Sequence, residues 1–246
     1  MENLKFSIII PTYNEENDIR ITLESLVSLT YSNKEIIIVD DSTDSTPNII
    51  REYSDRGVRL IIPKERKGRC EARNIGIREA MGDIIVILNA DVFVPNNFLE
   101  KITVHYKEGA DIVCVESEVE NTEDLFARYV GLHHFKKIAT GVYKKRSKEL
   151  NGLYWAEGFS ARKELVMKTS LFPSGYCVPI EAGEDVRFVD ELRALNCKSI
   201  IDENIRKEKI IATCENQAST NKFQCPNRNC RARKSIYTEV QTRSAD

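Results

Sequence analysis

Four short aliphatic runs fall in the first hundred residues: FSIIIP (Phe6 to Pro11), KEIIIVDDSTDS (Lys34 to Ser45), VRLIIP (Val58 to Pro63) and DIIVILNADV (Asp83 to Val92). The chain between them has a different period. Ile19, Leu23, Leu26 and Leu29 recur at helical spacing, Ile49, Ile50 and Tyr53 follow a hydroxyl cap and Pro47, and GRCEARNIGIREAMGD reads as a helix with Gly82 as its C-cap. Aliphatic runs alternating with amphipathic stretches predict βαβ units, hence an α/β fold with a mainly parallel sheet flanked by helices. In such a sheet the four strand exits lie along one edge.

The second half is less regular. GADIVCVESEV predicts a fifth strand, TEDLFARYVGLHHFKKIA (Thr122 to Ala139) a helix, and LYWAEGFSARKELVM a strand over Tyr154 to Phe159 leading into a short helix near Arg162 to Met167. Val186, Val189, Leu192 and Leu195 lie at helical spacing, which puts Glu184 and Asp185 in a first turn, and KSIIDENIRKEKII predicts a final pair of short strands. The expected organisation is a ligand-binding half over 1–115, a smaller second half over 116–213, and a polar, locally basic tail over 214–246.

Composition narrows the partners. The 246 residues are 41% hydrophobic and 30% charged, with a net charge of -2, which leaves no basic footprint for nucleic acid. Seven cysteines at irregular spacing suit reduced thiols better than a disulfide framework, and Cys225 and Cys230 lack the second pair of a structural zinc site. No signal peptide or membrane-length apolar run is apparent, so the expectation is a cytoplasmic protein. RNCRARKS in the tail is basic enough to touch anionic lipid, which leaves peripheral membrane contact open beside a disordered terminus.

The polar residues collect at the predicted strand exits, where open α/β sheets bind ligands. Pro11, Thr12 and Tyr13 follow the first strand, Asp40 and Asp41 the second, and Asn89, Ala90 and Asp91 the fourth. If the fourth strand runs on to Asp91, side-chain alternation puts Asn89 and Asp91 on one face about 7 Å apart, as a single site. Acids here suit ribose hydroxyls, a base N–H, or Mg²⁺ or Mn²⁺ beside a diphosphate. Neither a G-x-G-x-x-G nor a G-x-x-x-x-G-K-[ST] loop is present, so phosphate charge would fall to a metal and to Lys67, Arg69 or Arg73.

FSIIIPTYNEE, IIIVDDSTDST, KGRCEARNIGIREAMGDIIVILNADV, GFSARKEL and GEDVRF, in this order over roughly residues 5–200, resemble the family-two glycosyltransferases with a Rossmann-like GT-A fold. That resemblance implies a nucleotide-diphosphate sugar, UDP- or GDP-linked, in the first half, and a glycan, lipid-phosphate or protein acceptor in a smaller second half. Transfer with inversion is implied too. Pro11, Thr12, Asn14 and Glu15 would lie around the nucleoside, Asp40 and Asp41 around base and ribose, and Arg73 in the helix before the metal motif. Asn89-Ala90-Asp91 takes the place of the family's D-x-D, with Asp91 as ligand to a divalent metal. Glu184-Asp185 takes the place of its acceptor-side motif, with Asp185 as general base and Glu184 orienting.

Two rivals come from other classes. A nucleotidyltransferase would carry a basic, glycine-rich loop near its N-terminus, where PTYNEEND is acidic. A non-catalytic nucleotide-sugar-binding relative is favoured by Asn89 and opposed by the retention of Asp91 and Asp185.

Overall fold

The computed structural model describes residues 3–119, 158–174 and 184–209. Among the described residues an eight-stranded sheet carries the strands in the order β3-β2-β1-β4-β7-β6-β8-β5. The strands are β1 Phe6–Thr12, β2 Lys34–Asp40, β3 Val58–Ile61, β4 Ile84–Ile87, β5 Val92–Phe93, β6 Ile112–Val119, β7 Phe159–Arg162 and β8 Ser199–Lys209. β1 to β4 are mutually parallel, β7 runs against β4 and β6, β8 runs with β6, and β5 runs against β8. The helices are α1 Ile19–Val27, α2 Thr46–Arg51, α3 Gly68–Glu79, α4 Phe98–Lys107, α5 Lys163–Val166 and α6 Glu184–Ala194.

The near-continuous isoleucine runs make sense once both faces are covered, because parallel strands are buried on both sides. Ile8, Ile10, Ile36, Ile38, Ile84 and Val86 pack on one face with Leu23 and Leu26 of α1 and Phe98 and Ile102 of α4. Ile9, Ile37, Val39, Ile85 and Ile87 face the other way and pack with Ile77 of α3, Val166 of α5 and Phe188 and Leu192 of α6. From β1 the chain winds outward through β2 and β3, then returns to place β4 on the opposite side of β1. That reversal is the topological switch point at which open α/β sheets hold ligands.

Several details depart from expectation. β1 continues through Pro11 to Thr12, because the β1–β4 ladder ends at Ile9↔Ile87 and the missing N–H of Pro11 falls beyond it. Gly82 is not a helix cap: α3 ends at Glu79, and Ala80 is already extended. Gly82 instead passes so close to β1 that a Cβ there would lie 2.7 Å from Lys5 O and 2.8 Å from Ser7 N. The expected pair of last strands is one strand, β8, in which residues 203 to 205 have no place in the ladder between Val115↔Asp202 and Glu116↔Arg206. Helix α4 was not expected, although Phe98, Leu99, Ile102 and Tyr106 form its buried face. β7 begins at Phe159. The expected helix over 122–139, the strand residues before 158 and the tail over 214–246 lie outside the described residues. So do Cys177, Cys214, Cys225 and Cys230; among the described residues Cys70, Cys114 and Cys197 form no disulfide.

Candidate active site

The loops after β1 and β2 form one hydrogen-bonded block. Buried Thr12 donates from Oγ1 to Asp40 Oδ1 at 2.6 Å, and Ser42 Oγ donates to the same oxygen at 2.6 Å. The Asn14 N–H donates to Ser42 Oγ (2.7 Å), its Oδ1 accepts from Thr43 N (2.9 Å), and Glu15 N donates to Thr46 Oγ1 (2.9 Å). Asn14 holds this geometry at φ 56, a left-handed conformation that asparagine tolerates better than most residues. Pro11, Thr12, Asn14, Glu15, Asp40 and Asp41 are therefore gathered together.

The two acids have different surroundings. Asp41 Oδ2 accepts from Lys67 N (2.9 Å) and Gly68 N (2.7 Å), so Asp41 caps the N-terminus of α3 across the sheet edge. Asp44 Oδ1 accepts from Thr46 N at 2.9 Å and serves the start of α2. Asp40 caps no helix and is 1% exposed. Its Oδ2, together with Asp41 Oδ1, is buried and accepts no hydrogen bond from any described residue. Each such oxygen costs about 1–3 kcal/mol until a donor or cation reaches it. Tyr13 lies at the rim, 40% exposed, with the Arg66 guanidinium 3.9 Å from its ring centroid.

On the other side of β1, the strand carrying the Asn89–Asp91 stretch ends early. β4 stops at Ile87, and residues 88 to 91 form an irregular turn before β5. The expected strand alternation of Asn89 and Asp91 is thus overturned. Leu88 N still donates to Ile9 O (3.1 Å), and beyond it β1 offers no further partner. Asn89 and Asp91 are half-buried and Ala90 is 3% exposed. Asn89 Oδ1 takes a long 3.4 Å contact from Nη2 of Arg73, which is 2% exposed.

Arg73 also lies with its guanidinium carbon 5.1 Å from the Phe172 ring centroid. Phe172 stacks on Phe188 (4.4 Å, 26°), and Phe188 meets Phe159 edge-on at 5.5 Å. Phe188 follows Asp185 by one turn of α6, so aromatic packing joins the helix that carries Asp185 to the α3 residue that touches Asn89. Asp185 is half-buried in the first turn, and Glu184 opens the helix.

Asn74, Phe172, Thr22 and Ser25 carry no signal in the sequence, Thr22 and Ser25 being masked by the apolar period of α1. The hydroxyls of DSTDST look like turn and cap residues, which hides the bonds that Ser42 and Thr46 make to the β1 loop. Among the described residues no cluster of three or more His, Cys, Asp or Glu side chains gathers as a metal cage. A Mg²⁺-type ion bound with a diphosphate needs none, since one or two carboxylates and the phosphate oxygens suffice. The hard oxygens of Asp91 and the unsatisfied ones of Asp40 and Asp41 fit such a nucleotide and ion.

A mainly parallel sheet with acids at its strand exits, and a second-half helix packed on one of its faces, is the architecture of the GT-A fold. The sequence pattern described as glycosyl transferase family 2 matches residues 7–170, and the chain belongs to that family. It is 30% identical over 132 residues to the UDP-Glc:alpha-D-GlcNAc-diphosphoundecaprenol beta-1,3-glucosyltransferase WfgD of Escherichia coli, covering 53% of this chain and 52% of that one. Among solved structures, S. aureus TarS 1-349 in complex with UDP-GlcNAc superimposes with a TM-score of 0.68 at 19% identity, over 88% of this chain and 61% of that one. The mannosyltransferase PcManGT of Pyrobaculum calidifontis, in complex with GDP-Man and Mn²⁺, gives 0.64 at 21% identity over 89% and 60%. The chain thus spans about half the length of the curated relative and about three fifths of these structures. Among the described residues no helix is long and apolar enough to cross a membrane.

Proposed function

We propose that this protein transfers a sugar from a nucleoside-diphosphate donor to an acceptor hydroxyl with inversion, the donor half being 1–115 and the acceptor half 116–213. The observation that carries the reading is the buried, unsatisfied Oδ2 of Asp40 at the exit of β2, one strand over from the β1–β4 switch point. Asp40 accepts a base N–H there, and Asp41 a ribose hydroxyl through its remaining oxygen. The block of Pro11, Thr12, Asn14 and Glu15 walls the nucleoside. Asp91 holds the divalent ion, which supplies charge neutralisation at the departing diphosphate. Asn89 offers a neutral amide oxygen in place of a carboxylate, so Asp91 carries the direct charge.

Asp185 acts as general base, taking the acceptor hydroxyl proton on the face of the sugar opposite the diphosphate; a single displacement then inverts the anomeric centre, as in inverting glycosidases. Glu184 orients the acceptor. The name of the E. coli relative, an enzyme for a diphosphoundecaprenol-linked sugar, supports a lipid-phosphate-linked acceptor over a free glycan or a protein. Peripheral membrane contact through the basic tail would bring the two together. The test is a donor-hydrolysis screen of UDP- and GDP-sugars with and without Mn²⁺: metal-dependent release of the nucleoside diphosphate is expected, and sugar transfer to an added acceptor by Asp185→Asn at the wild-type rate contradicts the base assignment.

A further inference from the structure

Helix α1 has two core-facing positions that are not apolar. Thr22 is fully buried and Ser25 is 8% exposed, on the same face as Ile19, Leu23 and Leu26. A buried hydroxyl costs free energy unless it is bonded, and a valine at 22 would keep the shape and add apolar burial. The bonds explain the choice. Thr22 Oγ1 donates to Ala90 O at 2.6 Å, across 68 residues of sequence. Ser25 Oγ donates to Thr22 O at 2.8 Å and accepts a longer bond from Val94 N at 3.4 Å. Further along, Thr30 N donates to Asn96 O at 3.0 Å and Thr30 Oγ1 to the same oxygen at 2.9 Å.

These bonds fall where the sheet lets the chain go. After Leu88 the backbone has left β4, and β5 is only two residues, paired to β8 through Val92↔Lys209 and Phe93↔Glu208. Asp91 sits between these anchors, and the residue before it is pinned by Thr22. We infer that Thr22, supported by Ser25, is a positioning residue: the α1 hydroxyls fix the Ala90–Val94 backbone so that the Asp91 carboxylate is preset for a divalent cation bound with a nucleoside diphosphate. The inference rests on the donor-site reading given above. Groups that orient a metal ligand from behind typically set affinity by roughly 10–100-fold.

The experiment is a Mn²⁺ titration of the full chain, with free Mn²⁺ read by electron paramagnetic resonance in saturating UDP and again in saturating GDP, well below the unfolding temperature. Thr22→Val should weaken Mn²⁺ binding roughly 10-fold or more, and Thr22→Ser should restore it to within about 3-fold of wild type. Wild-type affinity in Thr22→Val, or equal loss in Thr22→Ser and Thr22→Val, overturns the inference while leaving the donor site intact. If Thr22→Val does not fold, Ser25→Ala replaces it: weakened Mn²⁺ binding supports the role, and unchanged binding overturns it. Failure of the wild-type chain to bind Mn²⁺ with either nucleotide overturns the donor-site reading, and the inference with it.

Discussion

Asn74 and Phe172 complete each other's hydrogen bonding: the Asn74 amide donates to Phe172 O and its Oδ1 accepts from Phe172 N, both at 2.9 Å. A side chain of α3 thereby acts as a strand partner for a segment 98 residues away. Leu171, next to it, is held at φ 63, so the local backbone is strained and depends on this clamp. Asn74→Ala leaves two buried backbone groups unpaired and should cost roughly 3 kcal/mol in urea unfolding, with an unchanged m-value. Loss of the clamp also releases Phe172 from Arg73.

Gly82→Ala forces a methyl against β1, 2.6 Å from Ser7 Oγ and 2.7 Å from Lys5 O. The neighbour is backbone and cannot step aside, so a loss of about 1–3 kcal/mol is expected from thermal or urea unfolding. Retained stability would mean that the approach of this turn to β1 relaxes easily.

Asp41→Ala removes the acceptor for Lys67 N and Gly68 N and should destabilise the chain by about 1 kcal/mol. Asp41→Asn keeps an oxygen at the cap and should recover most of that. A pair of variants equal in stability would remove Asp41 as the cap of α3.

Glu71 links acid stability to the same helix. Burial pushes its carboxyl up, but hydrogen bonds from Arg78, Ser174 and Asn74 outweigh it and hold the group below its ordinary value of 4.5. A carboxyl lowered in the folded state contributes stability that is full above its unfolded value and is lost as pH falls through the folded one. The urea midpoint should therefore fall less steeply below pH 4.5 in Glu71→Gln than in wild type, and parallel curves would count against the pairing.

The first half was largely legible because β1, β2 and β4 are buried on both faces, so their aliphatic runs carry no competing pattern. The exits of β1 and β2 were legible for the same reason: Asp40 and Thr12 stand out against isoleucine. The end of β4 was not. Asn89 and Asp91 continue an alternating pattern, although β4 has stopped at Ile87 and Ala90 is already tethered to Thr22. The role of Gly82 was hidden because a close approach between elements leaves no local mark. Asn74 and Phe172 were illegible too, since nothing in either segment signals a partner so distant in sequence.

The most direct test of the donor site is thermal unfolding of the full chain with UDP- and GDP-sugars, with and without Mn²⁺, for wild type, Asp91→Ala and Asp185→Asn. A nucleotide-sugar should raise the wild-type transition only when Mn²⁺ is present, by mass action on the folded state. Asp185→Asn should keep that shift and Asp91→Ala should lose it. A wild-type transition unmoved by every nucleotide-sugar, or an Asp91→Ala shift equal to wild type, would contradict the account.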